Sequence, residues 1–237
     1  MEWNDWHARI WRGNAATVAR AVIPTGFREL DRALPGGGWP LGAITEIFVA
    51  GYGIGELELL MPALAALTKE DPAKPRKWVV WIAPPFVPYA PALQQHGVNI
   101  DRLLMIHPTS GGKSRLWAIE QAVRSGSSAA VFAWVAAADD VTLRRLQLAA
   151  EDQGCWLLLF RPGNARRERS PAALRIVLSQ VHSATAPCVA LPRTSMSASA
   201  TAATRVEIVK CRGGRPGVVD VAAFALDAAA AAEVQRQ

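Results

Sequence analysis

Three stretches of this sequence hold residue types that could do chemistry. Residues 45–61 read TEIFVAGYGIGELELLM: an apolar run, a turn dense in glycine (Gly51, Gly53, Gly55), then an apolar segment of helical character. A buried strand that passes through glycines into a helix is where a phosphate-binding loop sits. Such a loop needs G-x-x-x-x-G-K-[ST]. Its backbone N–H groups then close on phosphate, its lysine reaches the β- and γ-phosphates, and its hydroxyl holds Mg²⁺. Here Ala50 takes the first glycine position and Gly55 the second, while Glu56 replaces the lysine and Leu57 the hydroxyl. A carboxylate would face a triphosphate, and nothing would hold the metal. The stretch reads as a nucleotide-fold core that has lost its nucleotide chemistry.

The second stretch is HPTSGGKS at 107–114. Strand-like LLMI precedes it and a helical pattern follows, so Gly112, Lys113 and Ser114 form the right tail for a phosphate loop. The first glycine is missing, because His107 stands there. A helix start with a solvated Lys113 is the plainer reading, and an ATP-binding role for Lys113 is the alternative. The third stretch, RPGNARRER at 161–169, gathers Arg161, Arg166, Arg167 and Arg169 beside Gly163 and Asn164. Such a loop can meet phosphates of single-stranded DNA, although it lacks the interleaved aromatics that stack bases. A solvated turn or a protein contact fits the same residues.

The elements that must position these stretches alternate in type. Residues 44–49, 78–82 (WVVWI), 103–106, 127–135 (SSAAVFAWV) and 154–160 (GCWLLLF) are short apolar runs, as in the fully buried strands of a parallel sheet. Helical patterns lie between them at 57–67, 88–96, 115–124 and 141–152, the last capped by Asp139 or Asp140. Ahead of the first strand, Thr25 can start a helix that runs to Leu34. The GGG turn at 36–38 then lets a short connector pass close to that strand. Strands at 176–181 and 188–191 read as a terminal antiparallel extension. Residues 194–204 are small and of low complexity, and strands at 205–211 and 218–225 flank a Gly/Pro turn. At the N-terminus Trp3, Trp6, Ile10 and Trp11 fall at helical spacing, a face that can fold back on the core or dock a partner. The expected division is a helix at 1–20, a core at 21–193, and a loop, hairpin and tail at 194–237.

Particular residues resemble those of RecA-like proteins: PTGF-x-x-LD-x-x-LPGGGWP-x-G at 24–42, ITEI at 44–47 and HGVNIDRLLMI at 96–106. Within that group the resemblance is to the ImuA family, carried also by IWRG at 10–13, the G-IGEL stretch at 53–57 and KCRGGRPG at 210–217. It implies an α/β fold: a RecA-like core of mostly parallel sheet flanked by helices, with antiparallel strands toward the C-terminus. By the register of RecA-type ATPases, Pro85 falls where the catalytic glutamate would be and Trp134 where the Walker B aspartate would be. Together with Glu56 and Leu57, four needed groups are absent, so no catalysis and no cofactor are expected. The arginine-rich stretch corresponds to a mobile DNA-contacting loop of RecA. The resemblance further implies a non-catalytic accessory role in SOS-induced mutagenic translesion DNA synthesis. ImuB and an error-prone DNA polymerase are the implied partners, with RecA and single-stranded DNA beside them. A cell division inhibitor of the SulA type is the rival reading.

Composition bounds these readings. In 237 residues, 51% are hydrophobic and 19% charged, enough for a sizeable core in one α/β domain. The net charge of +6 favours an anionic partner and also serves solubility. Cys155, Cys188 and Cys211 have neither C-x-x-C spacing nor histidines nearby, so no zinc site is expected, and an odd count fits a reducing, cytoplasmic setting. No signal peptide or membrane-spanning run is expected from the sequence.

Overall fold

The computed structural model describes residues 21–73, 75–109, 111–181 and 203–222. The chain opens with β1 (Val22–Ile23), α1 (Arg28–Ala33) and β2 (Trp39–Pro40), then enters β3 (Ala43–Val49). It continues through α2 (Met61–Thr68), β4 (Trp78–Ile82), α3 (Ala90–Gln95), β5 (Leu103–Ile106), α4 (Gly111–Arg124), β6 (Ser128–Trp134), α5 (Asp140–Gln153) and β7 (Trp156–Pro162). The described part ends with β8 (Leu174–Val181), β9 (Ala203–Cys211) and β10 (Gly217–Ala222).

The main sheet has the order β10-β9-β8-β3-β7-β6-β4-β5. From β8 to β5 every neighbouring pair is parallel, and only β9 and β10 run antiparallel. This is a mixed α/β fold with a mostly parallel central sheet, as the apolar runs foretold. One expectation is corrected. β8 does not belong to an antiparallel extension, because it pairs in parallel with β3, placing Arg175 opposite Glu46. The hairpin of β9 and β10, which the sequence set apart from the core, continues the same sheet. The strand expected at 188–191 lies outside the described residues.

All seven residues of β3 are buried, because helices cover both faces. On one face α1, α2 and α3 contribute Leu30, Leu64 and Leu93 to a core that also takes Ile47, Leu158 and Ile176 from the sheet. Across that face runs an aromatic ladder. Trp39 stacks on Trp156, whose edge meets Phe132, and Trp81 and Trp134 continue it to Phe160, with ring centroids 4.6 to 6.1 Å apart. On the other face α4 and α5 supply Ile119, Val123, Leu143 and Leu146 against Ile44, Val80 and Leu157. Gln147 ties α5 to the start of β3, its Oε1 accepting from the Ile44 amide at 3.0 Å. Gly38 has a steric reason to be glycine. A Cβ there would lie 2.2 Å from the Ile23 carbonyl oxygen, so the connector passes close against β1, whereas the sequence put its close approach at the strand of residues 44–49.

One polar cluster holds the middle of the sheet. Glu46 on β3 is fully buried, and so is Arg161 on β7. Arg161 Nη1 donates to Glu46 Oε1 at 2.7 Å, and Arg175 Nε on β8 donates to Oε2 at 2.7 Å. Arg161 Nη2 reaches outward to Glu168 at 2.6 Å, and Arg175 lies 4.9 Å over the Phe48 ring. One carboxylate therefore bridges the strands on both sides of β3. Removing it leaves Arg175 without its carboxylate and Arg161 with Glu168 alone, and breaking such a buried pair costs about 3–5 kcal/mol. The Glu46→Ala chain should show that loss in urea unfolding, whereas Glu168→Ala, at a half-exposed carboxylate, should cost far less.

At the start of α5, Asp139 caps the helix by accepting from the Thr142 amide at 2.7 Å. Its hydrogen bonds to Thr142 hold its carboxyl below the usual pKa of 3.8. A depressed carboxyl stabilises the fold above its unfolded pKa and loses that contribution as pH falls through the folded one. The melting-temperature gap between the native chain and Asp139→Ala should therefore be constant near neutral pH and close as pH drops below 3.8.

Candidate functional site

The glycine-rich turn after β3 is closed by its own glutamate. Gly53 at φ +81° and Gly55 at φ +91° adopt a backbone that L side chains rarely take. This brings the amides of Gly53 and Ile54 to one point, and the Glu56 carboxylate sits there. The Gly53 amide donates to both its oxygens at 2.9 and 3.0 Å, and the Ile54 amide to Oε2 at 2.8 Å. Glu56 is only 6% exposed. Converging loop amides form an anion-binding concavity, and here the anion is a side chain of the same loop. The sequence alone foretold a repulsive carboxylate at the lysine position. It did not foretell that this carboxylate would turn back and satisfy the amides. Leu57, at the hydroxyl position, packs against the core. Ala50 lies exposed at the end of β3.

Around the loop, the places expected to have lost catalytic groups are filled structurally. Trp134 at the end of β6 is buried in the aromatic ladder, 4.6 Å from Phe160. Its carbonyl accepts from Arg115 Nη1 at 3.0 Å. After β4 the chain turns at Ala83, with φ +53°, into the buried Pro84 and the exposed Pro85. Among the described residues no group of three or more His, Cys, Asp or Glu side chains comes together to hold a metal ion. Cys155 lies in the core beneath α5, where burial pushes its thiol pKa up to about 12. Gly112, Lys113 and Ser114 already belong to the first turn of α4. Lys113 is exposed, at the rim of an open groove shared with Pro108 and Trp117.

The arginine-rich stretch divides. Arg161 is corrected as a phosphate contact: it belongs to β7, is fully buried and is committed to Glu46 and Glu168. Pairing explains this, since a guanidinium in a parallel sheet needs a buried carboxylate. Arg166, Arg167 and Arg169 are exposed on the short 3₁₀ turn and the chain after it. That turn begins at Gly163, near the Val49 carbonyl, so the three arginines lie at the same end of the sheet as the closed loop. Lys210 joins the rim of this end, its Nζ donating to the Ser170 carbonyl at 2.8 Å. Burial first, then Arg175 and Arg212, push its pKa down. Sequence reasoning passed over Glu46 and Arg175. The signal was available as an acid inside the apolar run AITEIFV, which demands a buried cation. Trp3, Trp6, Ile10 and Trp11 lie outside the described residues.

Comparison with known proteins bears on this arrangement. The ImuA protein of Caulobacter vibrioides is 30% identical to this chain over 83% of it and 81% of the relative. This chain belongs to the ImuA family. RecA of a Picosynechococcus strain is 33% identical over 48% of this chain and 31% of its own length. The family model described as cell division inhibitor SulA matches residues 42–156. A crystal structure of SulA from Pseudomonas aeruginosa aligns with 51% of this chain and 98% of its own, at 26% identity and a TM-score of 0.41.

The closed loop has a measurable signature in this ImuA-family chain. Glu56→Ala leaves two loop amides unpaired and should destabilise the fold by about 1–3 kcal/mol. Millimolar inorganic phosphate should restore part of that loss in the variant by taking the carboxylate's place. It should leave the melting temperature of the native chain unchanged, and so should ATP with Mg²⁺.

Proposed function

We propose that this chain is a non-catalytic accessory factor in SOS-induced mutagenic translesion DNA synthesis. In this reading a RecA-like sheet serves as a platform for ImuB and an error-prone DNA polymerase, with RecA and single-stranded DNA as further contacts. The observation that carries the reading is the Glu56 carboxylate on the Gly53 and Ile54 amides, in a chain of the ImuA family. A loop that holds its own anion has no use for a nucleotide, and Leu57, Pro85 and Trp134 offer neither metal ligand nor base. What remains is surface.

Two surfaces support an adaptor. Arg166, Arg167 and Arg169 form an exposed cationic rim, suited to phosphates. At the other side of the sheet β5 is the edge strand, with Leu104 and Met105 exposed. Phe86, Val87 and Tyr89 after β4, and Trp117 on α4, are exposed as well. Apolar residues concentrated along one edge suit a protein partner. The SulA match over residues 42–156 favours a second reading, a division inhibitor. Against it, β8, β9 and β10 lie beyond the matched stretch, and β8 supplies the Arg175 that completes the Glu46 cluster.

Purified chain should retain ImuB and the polymerase in pull-downs and leave the tubulin-like division protein unbound; the reverse pattern would establish the division-inhibitor reading. DNA contact is tested by salt. If the three arginines meet phosphates, affinity for single-stranded DNA falls linearly on a log–log plot against salt. Each Arg→Ala change should then flatten the slope by about one unit. An unchanged slope in the triple variant would assign the rim to protein.

A further inference from the structure

The arginine turn and two aromatic loops share one end of the sheet, although the sequence sets them far apart. Arg166, Arg167 and Arg169 follow Gly163, which lies against the Val49 carbonyl at the end of β3. The glycine turn after β3 holds Tyr52, 43% exposed. The loop after β4, at the same end of a parallel sheet, holds Phe86 at 71% and Tyr89 at 73%. That loop is not loose. The Ala83 amide fixes its root by donating to the Ile106 carbonyl at 2.8 Å, and Pro84, Pro85 and Pro88 restrict its backbone. From β3 through β7 and β6 to β4 there are three strand spacings. At about 4.8 Å each, the end of β4 lies about 14 Å from that of β3. Between them the chain leaves β6 through Ala136 and Ala137, exposed residues that add neither charge nor bulk.

We infer that a single strand of nucleic acid lies across this end of the sheet, its phosphates on Arg166, Arg167 and Arg169 and its bases stacked on Phe86, Tyr89 and Tyr52. The site rests on the phosphate contact proposed above for these arginines, and it adds the stacking surface that their own stretch lacks. Cations that track a backbone beside rings that accept any base are the two halves of a single-strand binder. Only unpaired bases can offer their faces to such rings, so a duplex does not fit. A path of about 14 Å takes about four nucleotides at about 3.4 Å of rise each. The acids at this end leave the charge of the rim in place. Glu56 is held by the loop amides, Glu168 by Arg161 and Asp140 by Arg144, while Asp139 caps α5. Glu58 is exposed beside the glycine turn, so it repels phosphate toward the arginines and leaves the bases to the rings. Phe86 and Tyr89 thereby serve nucleic acid, and Leu104 and Met105 on the β5 edge remain for a protein.

The test uses the full-length chain and two labelled strands of equal length, one of thymidine nucleotides and one abasic, with affinity read by fluorescence anisotropy across a salt series. The native chain should bind the thymidine strand about tenfold more tightly than the abasic one. In Phe86→Ala/Tyr89→Ala that preference should vanish, while the salt slope stays as it was, because no phosphate contact is lost. The triple arginine variant should do the opposite, flattening the slope and keeping the preference. Equal affinity of the native chain for both strands, with a steep slope that the arginine variant flattens, overturns the stacking site and leaves the phosphate contact standing. A native chain that binds neither strand, or a slope that the arginine variant leaves unchanged, overturns the phosphate contact and the stacking site together. An aromatic variant that keeps its preference for thymidine but loses a protein partner in pull-downs assigns the loop to protein and refutes the site. Should the alanine variant not fold, Phe86→Leu/Tyr89→Leu, which keeps apolar bulk without a ring, takes its place.

Discussion

Much of this structure depends on one carboxylate in an otherwise apolar strand. Glu46 stands in the middle of β3 with no access to water, and Arg161 and Arg175 approach it from the strands on either side. Arg175 would have no carboxylate at its buried sheet position without it, and Glu46 would be a buried polar group without a partner if both arginines were absent. The requirement is mutual, and it reaches far along the chain. It joins residues more than a hundred positions apart, fixes β8 beside β3, and draws residues 163–173 across the sheet. From that crossover the exposed arginines emerge.

The Glu56 loop follows the same principle at smaller scale. Backbone amides that converge must meet an acceptor, and a buried amide left unpaired costs about as much as a lost hydrogen bond. In a nucleotide-binding loop that acceptor is phosphate. Here the acceptor is covalently attached, three residues from the first amide it satisfies. The loop's converging amides are therefore satisfied from within the loop. Trp134 makes a parallel substitution, since an indole stacked on Phe160 and Trp81 fills with packing a place that could otherwise take a charged group. The glycine turn after β3 and the end of β6 are thereby built into the scaffold, while Arg166, Arg167 and Arg169 and the β5 residues Leu104 and Met105 stay exposed.

Reading the sequence against this outcome separates two kinds of information. The strand and helix order was legible because buried parallel strands show as short, unbroken apolar runs, and because Asp139 and Gly154 mark the two ends of α5. The departure of the glycine turn from a phosphate-loop pattern was legible because a motif names residue types at fixed spacing, and Glu56 and Leu57 violate it. Two placements were not legible. The arginine-rich stretch looked uniform, yet Arg161 continues β7 while Arg166, Arg167 and Arg169 sit on the turn beyond it. The direction of β8 was misjudged because an alternating strand near a chain's end carries no mark of parallel or antiparallel pairing.

The sequence by itself determined the layered α/β class, the order of the main elements from β3 through β7 and the departure of Glu56 and Leu57 from a phosphate-loop pattern. These follow from local periodicity and from residue identity at set spacings. Only the tertiary structure decided which charges face inward. Whether an arginine is a phosphate contact or half of a buried pair depends on the strand that comes to lie beside it. Whether a glutamate repels an anion or replaces one depends on where the glycines turn the amides. Both outcomes rest on the cost of leaving a polar group unpaired away from water, and that cost exists only once the chain has closed around it.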